Sequence, residues 1–220
     1  MTQEEIFTLF RYMSEASLET VKLFSLTLLI ALPLGLFAAF GRMTKKKILI
    51  FPLNWPVRFY LLIMRGTPLI LQLFFFYFFP PIALHIRIPR FTAAILALSI
   101  NYAAYFAEIY RSGIESMPKG QFEAATVLGF SKTQTFIKII LPQVIKRVLP
   151  PMGSEFMTLV KDTALVTVIG VAEIYRLATD TMNREVSMTP IIMAGFFYLV
   201  MNGIVSKAFN LAEKKLSYYR

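Results

Sequence analysis

Residues 17–40 read SLETVKLFSLTLLIALPLGLFAAF. At 1.5 Å per residue, an apolar block of about 20 residues covers a hydrocarbon core of roughly 30 Å. Comparable blocks follow at about Phe59–Phe79, Phe91–Tyr110, Leu149–Val171 and Pro190–Asn210. The fourth is impure, because Glu155, Lys161 and Asp162 interrupt it. The chain has 220 residues, of which 56% are hydrophobic and 16% charged, against about 25% charged in a soluble domain. A soluble helical protein of this composition would lack a polar shell. The reading is an all-α membrane protein: one transmembrane domain over residues 1–220, with five transmembrane helices and no internal repeat.

The formal net charge is +10. On a soluble protein that would suggest nucleic acid, but here the basic residues lie between the apolar blocks. That placement points to membrane orientation and lipid headgroups, with no nucleic acid partner. The first connection holds Arg42, Lys45, Lys46, Lys47, Arg58 and Arg65; the third holds Arg111, Lys119, Lys132, Lys138, Lys146 and Arg147. The tail adds Lys207, Lys214, Lys215 and Arg220, whereas the opposite side holds Arg11, Arg87, Arg90, Arg176 and Arg184. With five crossings, the amino terminus is expected outside and the carboxyl terminus in the cytoplasm. The acidic start, with Glu4, Glu5, Glu15 and Glu19, is unlike a cleavable signal peptide, so the first block is read as a retained helix. Without cysteine, disulfides and thiol chemistry are excluded.

The cytoplasmic connection, residues 111–148, is the longest and the natural docking place for a partner. Pro118 suits a first helical turn, and Gln121-Phe-Glu-Ala-Ala-Thr-Val-Leu128 is a short helix former. Gly129 can close that helix in the left-handed conformation. Ser131 with Gln134 reads as a capping box opening a second helix, which Pro142 is expected to bend or interrupt.

Glu123-Ala124-Ala125, then Gly129, then Ile139-x-Leu141-Pro142 at this spacing resembles the cytoplasmic signature of bacterial binding-protein-dependent importer permeases. Arg65-Gly66-Thr67-Pro68-Leu69 leading into Gln72-Leu73-Phe74, Asn101-Tyr102-Ala103-Ala104-Tyr105 with Glu108-Ile109-Tyr110-Arg111, and Leu159-Val160-Lys161-Asp162-Thr163 look like the polar amino acid group, which serves histidine, arginine, glutamine and cystine uptake. The resemblance implies the type I ABC importer permease (MetI-like) architecture in the bacterial cytoplasmic (inner) membrane. It implies a second permease subunit, identical or paralogous. It also implies two cytoplasmic ABC ATPase subunits that bind ATP and Mg, and an extracytoplasmic solute-binding protein. Glu123, Ala124, Ala125, Gly129, Ile139, Leu141 and Pro142 would be the ATPase-coupling residues. The chain carries no Gly-x-x-x-x-Gly-Lys-Ser/Thr cradle, so it is not itself the enzyme and needs no cofactor of its own. Taken singly, Ala124 and Ala125 also read as helix filler and Glu123 as a solvated charge; the joint spacing favours coupling.

A charge at mid-membrane costs roughly 2.5–3.5 kcal/mol, so the fourth block's polar residues need a purpose. Glu155 and Asp162 lie two turns apart on one helix face and can accept from cationic groups. Glu155 reads as a cavity wall or as a helix-end residue. Lys161 and Asp162 read as an internal ion pair, or Lys161 as snorkelling. Gly66, Thr67 and Asn101 complete the substrate-pathway candidates, offering backbone, hydroxyl and amide contacts in an apolar wall. His85, the one histidine, lies near Arg87 in an outer loop and is not read as a metal ligand. Trp55 and Tyr60 read as headgroup anchors, and the aromatic run Phe74–Phe79 as lipid-facing or core. A channel and an ion-driven transporter remain as rivals, as does an importer for an opine or a sulfur amino acid.

Overall fold

The computed structural model describes residues 3–44, 47–48, 51–52 and 54–216. Lys45, Lys46 and Arg220, assigned above to the cytoplasmic charge, lie outside the described residues, and Lys47 is described by its backbone alone. Among the described residues the regular structure is helical apart from a two-residue antiparallel ladder, β1 (Lys47–Ile48) against β2 (Phe51–Pro52).

The first helix, α1 (Gln3–Met43), runs unbroken for 41 residues, well beyond the expected start at Ser17. Helices α2 (Asn54–Gly66) and α3 (Leu69–Ala83) replace the single second block, meeting at an angle of 112°. Pro68 causes the break: it has no N–H to donate and it pushes Thr67 away from the helical region. Helix α4 (Arg90–Glu115) follows, then α5 (Lys119–Val127) and α6 (Lys132–Gln134). A π-helical segment, Thr135–Ile140, leads into α7 (Leu141–Asp162). A 3-10 segment, Thr163–Ile169, precedes α8 (Ile174–Glu185) and α9 (Thr189–Lys215).

By length and composition α1, α4 and α9 are long and apolar enough to cross a membrane, and the bent pair α2–α3 makes a fourth candidate. The fourth expected block becomes most of α7 plus the 3-10 segment. Its apolar Leu159, Val166 and Ile169 are buried in the main core, which explains why an interrupted sequence can sit there.

Helix α4 is the centre. Its face of Ala93, Ala94, Ala97, Ala103, Ala104 and Ala107 is fully buried. Lipid tails are as apolar as leucine, so helices associate in a bilayer through close packing of small residues. Gly35 of α1 shows how close: a Cβ there would stand 2.8 Å from the Phe106 Cβ and 3.0 Å from the Ala103 carbonyl oxygen. At the other end of α1, Leu9 and Met13 pack against Ile174 and Ala178 of α8. Buried Glu173 caps α8, accepting from the Tyr175 and Arg176 amides at 2.8 Å each, and it also accepts from the Tyr198 hydroxyl of α9 at 2.7 Å. Burial holds its carboxyl above the usual range, and these donors offset only part of that rise.

The aromatic run of α3 splits by face. Phe74, Phe75, Phe78 and Phe79 are exposed, while Phe76 and Tyr77 pack on the core. Trp55 is exposed and stacks on Phe59. Tyr60 departs from its expected anchoring role: its hydroxyl donates to the Ile100 carbonyl of α4 at 2.6 Å.

Candidate functional site: a broken helix, a charged cavity and a cytoplasmic hairpin

The broken helix gathers three of the candidates, Gly66, Thr67 and Asn101, around Gln72, to which sequence reasoning gave no role beyond a motif. Buried Gln72 donates through Nε2 to the Met64 carbonyl at 3.0 Å, the Thr67 carbonyl at 3.1 Å and the Thr67 hydroxyl at 2.8 Å. Asn101 Nδ2 donates to Gln72 Oε1 at 2.9 Å and to the same Met64 carbonyl at 3.0 Å. The Thr67 hydroxyl donates to the Ile63 carbonyl at 2.8 Å. Asn101 therefore serves the break itself, donating to the Met64 carbonyl that Pro68 has no N–H to reach, while the Thr67 hydroxyl is tied to Gln72 and to the Ile63 carbonyl that its own amide already bonds. Gly66 is exposed beside them, with open space where a Cβ would stand. Replacing Gln72 by Leu should leave buried Asn101 without its Gln72 acceptor, at a cost of about 1–3 kcal/mol. The expected result is a lower thermal midpoint for the detergent-solubilised protein, and an unchanged midpoint would remove the network from the account.

Below the break lies a cavity of about 610 Å³, lined by Arg65, Tyr105, Glu108, Arg111, Arg147 and Glu155 among others. Glu108 accepts from Arg111 at 2.5 Å and faces Arg65 at 3.7 Å, and Arg111 continues to Glu115. The Arg65 guanidinium lies over the Tyr105 ring, 5.6 Å from its centre. Half-buried Glu155 is the acidic wall opposite this basic set, so the cavity offers both signs of charge to a small ligand.

Asp162 lies two turns further along α7, outside that lining. It accepts a hydrogen bond of 2.7 Å from the hydroxyl of buried Tyr102 on α4. The expected pairing of Lys161 with a neighbouring carboxylate is not formed: among the described residues it is exposed and in no ion pair. One residue before Asp162 on α7, it lies about 100° round the helix and is exposed. Among the described residues no group of three or more histidine or acidic side chains is placed to hold a metal.

The hairpin at the far end of α7 follows local rules closely. Pro118, extended at φ −60° and ψ 134°, stands just before α5. Gly129 takes φ +80°. Its amide bonds the Thr126 carbonyl and that of Phe130 bonds the Ala125 carbonyl, both at 3.0 Å, which is a Schellman turn. Ser131 and Gln134 form the expected capping box. Pro142 does not interrupt the helix. The chain absorbs its missing N–H by widening into π-helix just before it, with the Leu141 amide reaching back to the Phe136 carbonyl. Ala125 is buried, while Phe122, Val127 and Leu128 are exposed, as are Glu123 and Ala124. Ile139, Leu141 and Pro142 are half-buried.

The profile described as binding-protein-dependent transport system inner membrane component matches residues 31–218, a stretch containing the broken helix, the cavity and the hairpin. The chain belongs to that family. This permease is 36% identical to the L-cystine transport system permease protein TcyB of Bacillus subtilis, over 91% of its own length and 84% of the relative's. It is 37% identical to the arginine transport system permease protein ArtQ of the same organism, over 90% and 89%. Among solved structures it resembles the crystal structure of an amino acid ABC transporter with histidines. The TM-score is 0.84 at 35% identity, covering 98% of the permease and 100% of that chain.

The permease is therefore the membrane component of an ABC importer with the type I fold, and ATP hydrolysis belongs to partner subunits. Besides the role of Gln72, sequence reasoning missed Tyr102 as the partner of Asp162. The available signal was a tyrosine hydroxyl between Asn101 and Ala103 in the middle of an apolar helix, a group that needs an acceptor when buried.

Proposed function

We propose that the permease translocates a polar amino acid across the bacterial cytoplasmic membrane as one of two membrane subunits, identical or paralogous. Two cytoplasmic ABC ATPases bind ATP and Mg, and an extracytoplasmic solute-binding protein delivers the substrate. The chain crosses the membrane five times, with its amino terminus outside and its carboxyl terminus inside. Residues 111–148 are cytoplasmic, and the helix carrying Glu123, Ala124 and Ala125 sits in a groove of the ATPase. Closure of the ATPase pair draws these helices together and turns the core outward; hydrolysis resets it.

The observation that carries this reading is the shape of the hairpin. A nine-residue helix, fixed by a Schellman turn and a capping box, projects exposed apolar Phe122, Val127 and Leu128. In a lone chain such a face is an interaction surface. Glu155 gives the cavity an acidic group able to accept from a cationic side chain, in keeping with the arginine relative. The cystine relative supports a sulfur amino acid as the second reading.

Reconstitution in vesicles with cognate ATPase and binding protein tests the proposal. Uptake is expected to require ATP and the binding protein and to survive collapse of ion gradients. Uptake without the ATPase would establish a channel, and loss with the gradient at constant ATP an ion-driven transporter.

A further inference from the structure

The hairpin can drive the core only if something prevents it from swivelling on its connections. Apart from the backbone, α5 offers its own protein one buried apolar residue, Ala125. One turn earlier on the same face stands Gln121. Its amide pairs reciprocally with that of Gln143: Gln121 Nε2 donates to Gln143 Oε1 at 2.9 Å, and Gln143 Nε2 donates to Gln121 Oε1 at 2.7 Å. Gln143 Nε2 also donates to the Ile139 carbonyl in the π-helical segment at 2.7 Å. One turn further along α7, Arg147 donates through Nη1 to the Ser116 carbonyl at 2.7 Å and to the Ser116 hydroxyl at 3.0 Å.

Gln143 and Arg147 thus grip the chain on both sides of Pro118, one inside α5 and one at the end of α4. Two-bond amide pairs are directional, whereas apolar contacts slide. Arg147 lines the cavity that Glu155 lines, so the second grip sits at the cavity wall. We infer that the Gln121–Gln143 amide pair is the positioning linkage that converts displacement of the cytoplasmic hairpin into movement of the helix bearing Glu155 and Asp162. The inference rests on the coupling role proposed above.

The test uses the complete reconstituted complex, with arginine as the transported probe and the number of molecules taken up per ATP hydrolysed as the readout. Gln121→Leu and Gln143→Leu are each expected to lower that ratio on the order of tenfold. The double variant should be no worse than either single, because one linkage can be lost only once. Gln121→Glu with Gln143→Lys, which offers an ionic link in its place, should recover part of the ratio. A role confined to folding would lower complex recovery and leave the ratio of the recovered complex unchanged; that outcome, or additive losses, overturns the inference. If the leucine variants yield no complex, near-isosteric Gln121→Glu with Gln143→Glu replaces the amide pair by two carboxylates that cannot donate to each other, and an unchanged ratio there is equally fatal. Gly129→Val separates the two layers. If it abolishes uptake while the glutamine variants keep the ratio, the linkage fails and coupling stands; if it too leaves uptake normal, the coupling reading itself fails.

Discussion

Gly129→Val should reduce uptake about 5–30-fold while leaving the permease inserted in the membrane. The residue stands at φ +80°, where a side chain at Cβ meets the following carbonyl at a cost of roughly 1–2 kcal/mol, a 5–30-fold shift in a local equilibrium. The rest of the protein adds no crowding, because beyond the adjacent residues no atom lies within 4 Å of the place a Cβ would occupy. The whole penalty is therefore conformational, and it falls on the Schellman turn that orients α5. Asparagine tolerates the left-handed region, so Gly129→Asn should keep most of the uptake. Co-purification of the ATPase should follow the same order. Equal behaviour of the valine and asparagine variants would show that backbone conformation at this turn is not what matters.

Glu155→Gln should raise the KM for arginine uptake about 10–100-fold and change neutral amino acid uptake far less. A hydrogen bond to a charged group contributes roughly 1.5–3 kcal/mol, and the glutamine keeps the shape while removing the charge. Half-buried Glu155 stands on the cavity wall, with α7 rigid behind it through Phe156, whose ring packs on Phe209 at 4.9 Å. Assembly with partner subunits should be unaffected. Unchanged kinetics for both substrate classes would return Glu155 to a wall residue without a role in selection.

Local rules made part of this molecule legible. The apolar blocks gave α1, α4 and α9, because a helix in lipid must satisfy its own backbone. Gly129, Ser131 and Gln134 were readable because turns and caps are decided within a few residues. The direction of the break at Pro68 was not readable: a proline announces an interruption, but its 112° angle is held by Gln72 and Asn101, which are 29 residues apart. Pro142 looked the same in sequence and behaved differently, since a π-helical turn absorbed the missing donor. Of the substrate-pathway residues, Gly66, Thr67 and Asn101 do come together, yet the side chains of Thr67 and Asn101 are occupied at the break. The pairs Tyr102–Asp162 and Gln121–Gln143 span 60 and 22 residues, and no periodicity encodes a partner at that distance.

The length of α1 has a mechanical corollary. Its 41 residues make a rod of about 60 Å, whereas lipid and headgroups together span only about 40–45 Å. Even leaning at about 40°, the steepest ordinary inclination, the rod outruns the bilayer. An α1 that crosses the bilayer would thus leave part of its length in water as a mast, with the Leu9 and Met13 contacts to α8 as its stay. A soluble protein landing beside that mast would meet a fixed post with a set bearing, so its arrival could be steered before it touched the lipid.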